Sequence, residues 1–353
     1  PADVNGKEKN KEKNADSDAD ADTDAVADAA KGDNQGENSI ADVNDDQQGR
    51  VTDGDGTDTL TAAAEELEGE TASIYKQLKD TSGDSIELYG SPQYTAARWI
   101  VSSDPSPEGT RSADDPRLLQ RYALVTLYFS TNAQSTWVQC YQGHDDCKLD
   151  GESFLSGADE CEWSGITCDE NTRMVTAIEL QNNGLKGNLS AELGALSSLE
   201  LLDVTKNQLG GVIPESLANT AMVELIVSAN QMVGPFPTSL YGMKTLEHVC
   251  IDRNKFVEMP DWASMPNLIY IFAFENEFEG ELDPAMADLK NLKVIDLKSN
   301  KLTGALPKKF ANLKSLEKLK LSDNSLSGEV SEKIFGLPRL TELWLPPPLS
   351  EGP

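Results

Sequence analysis

The sequence predicts an α/β solenoid in which each coil of chain contributes one short strand to a long parallel sheet. Three observations predict it. The pattern LxxLxLxxNxLxG recurs with its asparagine at Asn183, Asn207, Asn230, Asn254, Asn276, Asn300 and Asn324. The intervals are 24, 23, 24, 22, 24 and 24 residues, a period that marks stacked repeats rather than a single helix or strand. Within a copy, as at Leu292, Ile295 and Leu297, the alternation directs side chains inward from a strand and its approach.

The elements follow in chain order. The chain has 353 residues, 38% of them hydrophobic, and a formal net charge of −30. Residues 1–60 carry 17 acidic and 6 basic side chains and almost no large apolar ones. Such a segment buries too little surface to offset its ordering entropy, so 1–60 is expected to be a disordered acidic tail. Its alternating Asp16, Asp18, Asp20, Asp22 and Asp24, and the DGDGTD stretch at 53–58, invite a calcium reading. They lack the sixth-position Gly and twelfth-position Glu of an EF-hand loop.

Residues 61–115 form a helical and linker region. The Ala/Glu-rich stretch at 59–80 reads as helix, Ser91 and Pro92 as an N-cap and first helical residue, and 102–115 as a Pro-rich loop. Asp115 and Pro116 give a second start signal. Leu118, Leu119, Tyr122, Leu124, Val125 and Phe129 then make an apolar helix face that covers the end of a larger core. A cap at 116–173, repeats at 174–345 and a tail at 346–353 complete the organisation. An eighth copy begins at Leu340, Leu343 and Leu345, with Pro348 where its asparagine would stand. More repeats are expected beyond it, because an uncapped solenoid end exposes core leucines.

In each copy the asparagine sits where the chain leaves the strand. Its amide both donates and accepts, so stacked copies form a ladder that satisfies buried peptide groups. A single copy cannot offset the entropy of its own ordering, and stability comes from neighbours sharing a core.

The period and signature identify leucine-rich repeats, and the second half of the copies narrows the family. GVIPESL (211–217), GPFPTSL (234–240) and GALPKKF (304–310) resemble the GxIPxxL half of plant-type repeats. CEWSGITC (161–168) resembles the CxWxGxxC cap of plant receptor-like proteins, receptor kinases and polygalacturonase-inhibiting proteins. The helix at 118–132 before it also resembles algal, especially diatom, leucine-rich-repeat proteins. The resemblance covers 116–345 and implies a right-handed horseshoe that recognises ligands on its concave or lateral face. It also implies a second, lateral strand at the half-motif. That strand is expected to break at Ser190, Asp283 and Ser331, which replace the proline, and in the short copy at 254–267. No kinase domain is present, so kinase activity does not carry over.

The resemblance pairs Cys161 with Cys168. Cys140 and Cys147 are the second expected pair, with crossed pairing and a zinc site using His144 as rivals. A disulfide-stapled cap implies an oxidising, extracellular or cell-surface compartment. No apolar run is long enough for a membrane helix. No signal peptide is present, and the chain begins with Pro1, so a signal or anchor is expected upstream. Asn188-Leu189-Ser190 is a glycosylation sequon, expected just beyond the first strand.

Function belongs on positions the core does not use. These are His248, Cys250, Asp252 and Arg253 in one copy and Tyr270, Phe272 and Phe274 in the next, followed by Asp296, Lys298, Lys318 and Lys320. Three outward aromatics on one strand predict a partner-binding patch. The competing expectation is that they pack on one another or under residues 60–115. His248 and Cys250 share a face but have no third orienting group or sheltered pocket, which argues against a thiol enzyme. The sequence therefore predicts a recognition module without cofactor or metal that binds a protein, peptide or glycan. An inhibitor of secreted polysaccharide hydrolases and a structural matrix or cell-wall protein are the alternatives. Net acidity argues against nucleic acid.

Overall fold

In a computed structural model, residues 69–106, 112–140, 151–347 and 350–351 are described. The acidic tail, the DGDGTD stretch, His144 and Cys147 lie outside the described residues. Eight parallel strands form the concave sheet, one per coil. We number the strands of this sheet in chain order. A cap strand, β1 (Ile166–Cys168), pairs antiparallel with β2 (Val175–Glu179). Then follow β3 (Leu201–Asp203), β4 (Glu224–Ile226), β5 (His248–Cys250), β6 (Tyr270–Phe272), β7 (Val294–Asp296), β8 (Lys318–Lys320) and β9 (Glu342–Trp344). Sheet order equals chain order, and the pairing is strictly one coil to the next. Short 3₁₀ turns such as Glu215–Asn219 and Lys308–Asn312 return the chain along the opposite side. The central residue of every concave strand from Ile178 to Leu319 is fully buried, which is where the inward half of the alternation goes.

The asparagines stitch the coils together. Asn207 Oδ1 accepts from Asn183 N and Leu185 N, both at 3.0 Å, while its Nδ2 donates to Leu180 O at 2.9 Å and Val204 O at 2.8 Å. Asn254 and Asn324 repeat the arrangement, with Nδ2 on Val227 O and Leu297 O of the preceding coil, each at 2.9 Å. The residue before each asparagine, from Asn182 to Asp323, is left-handed with φ of 52–56°, and none is glycine. The side-chain amide thus holds a backbone turn that L-residues otherwise avoid.

The N-terminal cap continues the solenoid rather than merely lidding it. Its helices are α1 (Glu70–Ser82), α2 (Pro92–Ser102), α3 (Leu118–Ser130) and the short α4 (Ala133–Thr136). Ser91 caps α2 by accepting from Tyr94 N at 2.9 Å. Gln139 N donates to Asn183 Oδ1 at 3.0 Å, and Val138 N to Asn183 O at 3.0 Å, so the cap occupies the rung a preceding coil would fill. Gly187 lets this happen. A Cβ there would stand 2.2 Å from Ser130 O, and its φ is +126°. Below, Arg121 is fully buried between Trp99 and Trp163, its guanidinium 5.3 and 4.7 Å from their ring centres. It pairs with Asp104 at 2.7 Å and Glu160 at 3.1 Å, which ties the linker to the disulfide loop.

Three expectations are corrected. Helix α3 starts at Leu118, not Pro116. Asp115 accepts from Arg117 N at 2.8 Å in a turn that precedes the helix. Nor is α3 one-sided: Leu118 and Gln120 to Tyr128 are buried all round, because α1 and α2 cover the face turned from the repeats. The lateral strands do not break at the substituted prolines. Lys186–Asn188, Glu279–Glu281 and Glu329–Val330 all form strands just upstream of Ser190, Asp283 and Ser331. The third and fourth copies carry no regular lateral strand, and there the flank is joined by hydrogen bonds such as Gln231 N to Leu209 O, Val233 N to Gly211 O and Lys255 N to Met232 O, and by a bridge from Glu258 to Glu279.

Candidate functional site

The concave face is built by the two residues flanking each buried strand centre and the one two places before each asparagine. Register aligns them across coils: Glu224, His248, Tyr270, Val294 and Lys318 lie in one row, and Ile226, Cys250, Phe272, Asp296 and Lys320 in the next. The third row reads Ser228, Asp252, Phe274 and Lys298. Tyr270, Phe272 and Phe274 are brought together at the centre, all half-buried.

The aromatics partly satisfy one another. Tyr270 stacks on Phe272 with ring centres 6.3 Å apart, and His248 meets Tyr270 edge-on at 4.7 Å. Arg253 and Lys298 each sit 4.9 Å from the Phe274 ring. Lys298 also lies 5.9 Å, and Lys320 4.5 Å, from Trp344, which is 46% exposed. The cluster is thus a part-exposed set of rings, with cations facing Phe274 and Tyr270.

Two of the sequence-predicted residues differ from their expected setting. Asp252 and Asp296 are not exposed charges: they are 5% and 4% exposed. Asp252 Oδ1 accepts from Ser228 Oγ at 2.5 Å, and burial pushes its carboxyl up to about 6. Asp296 accepts from Lys298 N at 3.3 Å and is likewise raised by burial. Arg253 stands in the left-handed turn position, which swings it to the rim, where it pairs with Glu275 at 3.3 Å. Burial, aided by the Asp252 charge, also pushes the Cys250 thiol up. A raised thiol is the reverse of an activated nucleophile.

Sequence reasoning missed three partners. Glu224 Oε2 lies 3.3 Å from His248 Nδ1, and the hydrogen bond from His248 holds that carboxyl below the ordinary range. Glu342 takes Lys318 at 2.9 Å and Lys320 at 3.1 Å. Lys293 lies 5.9 Å from the Tyr270 ring. Glu224 and Glu342 share the His248 row, so extending each column through every copy would have found them.

Elsewhere, Cys161 and Cys168 form a disulfide. Cys140 is disulfide-bonded, while the proposed partner Cys147 lies outside the described residues. Asn188 is exposed, but it ends the first lateral strand rather than following the concave one, against Gly211. Among the described residues, no helix is long and apolar enough to cross a membrane.

Known proteins share these features. Family models described as Leucine rich repeat match residues 283–346 and 198–220. Receptor-like kinase TMK2 of Arabidopsis thaliana is 35% identical over 125 residues, 35% of this chain and 14% of the relative. Phytosulfokine receptor 1 of the same plant is 32% identical over 130 residues, 33% of this chain and 13% of the relative. The chain thus corresponds to a small part of these relatives' length. Among solved structures, a plant ice-binding protein superposes with a TM-score of 0.52 at 24% identity, covering 64% of this chain and 77% of its own, a likeness of fold. With the asparagine ladder, the lateral strands and the cap disulfide in place, the chain folds as a leucine-rich-repeat solenoid similar to those of these plant proteins.

Proposed function

We propose that the chain is a non-catalytic recognition module that binds a protein or peptide ligand on its concave face, as part of a secreted or cell-surface protein. One observation carries this reading. An aromatic cluster of Tyr270, Phe272 and Phe274 occupies the centre of a concave face that also carries charged side chains, and all three rings are half-buried. Aromatics rimmed by Arg and Lys supply the anchors typical of interface centres. The similar plant proteins include a receptor-like kinase and a phytosulfokine receptor, which agrees with ligand recognition by this kind of repeat array. The cap disulfide supports an oxidising compartment.

The role of each residue follows from its place. Tyr270, Phe272 and Phe274 provide contact area. His248 and Cys250 border the cluster on one side, while Lys298, Lys318 and Lys320 border it on the other. Changing the three aromatics to serine leaves the buried strand centre Ile271 and the asparagine ladder untouched. The variant is expected to fold with unchanged circular dichroism and to lose at least a hundredfold in affinity for a ligand selected on the parent protein. Unchanged affinity would discard the concave face as the ligand surface.

A further inference from the structure

Ligand recognition on the concave face gives no role to Asn188-Leu189-Ser190, the sole Asn-x-Ser/Thr sequence in the 353 residues. Asn188 ends the lateral strand Lys186–Asn188, whose partner strand Gln208–Gly210 sets it opposite Gly210. It is exposed, and its carboxamide makes no hydrogen bond among the described residues. The next coil keeps room beside it: a Cβ at Gly211, whose φ is +65°, would stand 2.6 Å from its Oδ1. The same repeat position is exposed at Val212, Glu281, Ala305 and Glu329, so the coil geometry turns this side chain to solvent.

Ser190 is the independent observation. It stands where Pro214, Pro237 and Pro307 stand in other copies, just before the 3₁₀ turn Ala191–Ala195. A side-chain oxygen there ordinarily caps the turn, as Asp283 does in its own copy by accepting from Ala285 N at 2.7 Å. Ser190 makes no such bond. It is 6% exposed, and its Oγ is buried without a hydrogen-bond partner. A buried, unpartnered hydroxyl carries a desolvation cost and returns nothing to the folded state. The fold therefore gives no reason for a hydroxyl at 190, where other copies use proline.

We propose that Asn188 carries an N-linked oligosaccharide and that the Ser190 hydroxyl serves its attachment rather than the fold. This rests on the reading of the chain as secreted or cell-surface, the setting the Cys161–Cys168 disulfide implies. In the attachment, Asn188 Nδ2 attacks the anomeric carbon of an oligosaccharide carried on a lipid pyrophosphate. The Nδ2–C1 bond forms, the C1–O bond to pyrophosphate breaks, the lipid pyrophosphate leaves, and Nδ2 releases one proton. The transferring enzyme reads the hydroxyl two residues after the asparagine, so Ser190 must be reachable at that moment. Leu189 and Ser190 are each 6% exposed once folded, so transfer precedes closure of the first coil. The oligosaccharide then stands on the lateral flank, where Asn188 meets solvent.

The test is mass spectrometry of the protein purified from its native source, before and after peptide-N-glycosidase. One oligosaccharide is expected, lost on treatment with conversion of Asn188 to aspartate. Asn188 unmodified in every molecule would overturn the proposal. The cap cysteines of the same sample then show whether the compartment reading falls with it: a closed Cys161–Cys168 disulfide keeps that reading, and free thiols remove it. Expressed through the secretory pathway of cultured plant cells, S190T should keep the oligosaccharide, and S190A and N188Q should lose it. Retention in S190A would overturn the role given to the hydroxyl. N188Q alone and N188Q with S190A, both without oligosaccharide, should unfold at the same urea concentration, or the double variant at a higher one. A midpoint lowered by S190A within that pair would show that the hydroxyl serves the fold, against the proposal.

Discussion

Replacing Asp252 with asparagine removes a charge but keeps the shape and the Oδ1 acceptor that Ser228 uses. Burial raises this carboxyl from its ordinary 3.8 to about 6. Arg253 and the Ser228 hydrogen bond pull the other way, and Asp296 adds to the rise. A carboxyl whose folded pKa is raised binds its proton more tightly in the native state than in the unfolded chain. Its contribution is therefore fully present below about pH 3.8 and is lost as pH climbs through 6. Above that, the native state carries the whole cost, 2.2 pKa steps at 1.36 kcal/mol each, or about 3 kcal/mol. D252N should thus unfold at higher urea than the parent at pH 7, by about 3 kcal/mol, and the difference should vanish near pH 4. Urea titrations of both proteins at the two pH values decide it. A variant that is no more stable at pH 7, or a gain that persists at pH 4, would refute the claim that burial at Asp252 outweighs the help of Ser228 and Arg253.

Four further outcomes are expected. Asn207→Ala leaves two buried N–H groups and two buried carbonyls without their partner and should cost about 3–5 kcal/mol in urea unfolding; a loss under 1 kcal/mol would deny the ladder its role. Gly187→Ala drives a Cβ against Ser130 O, so hydrogen exchange should accelerate at the Lys186 and Val138 amides that join cap to first coil. Reducing Cys161–Cys168, which closes a loop of separation 7, should cost about 2–3 kcal/mol and shift the urea midpoint of the cap. Cys250 should react with iodoacetamide at pH 7.5 more slowly than free cysteine, because burial raises its thiol.

The core was legible because its selection rule is periodic. Ile178, Leu202, Leu225, Val249, Ile271 and Ile295 occupy one column, and every one must fit the same coil interior. The asparagine column is equally strict, since each amide serves the coil before it. The helical region was less legible. A sequence window shows that Leu118 to Phe129 has apolar spacing, but not that α1 and α2 approach from the far side and bury Arg121 and Gln120 as well. The partners of Arg121 lie 17 and 39 residues away, beyond any local pattern. The concave residues were placed correctly in rows. Their exposure was not: Asp252 and Asp296 are buried although their repeat position faces outward.

Position along the strand also explains why this face carries chemistry the core does not. A residue at the strand centre answers to packing alone, so the column repeats. A residue one step on answers to whatever stands in the neighbouring coils, and its row changes at each step: Asp203, Ile226, Cys250, Phe272, Asp296, Lys320. A parallel register brings unlike groups within about 5 Å without any change to the fold beneath. Asp252 and Asp296, in the copies on either side of Phe272 and Phe274, are both buried, which raises the cost of their charge. Stability alone would favour asparagine at 252, since it keeps the hydrogen bond and discards the charge.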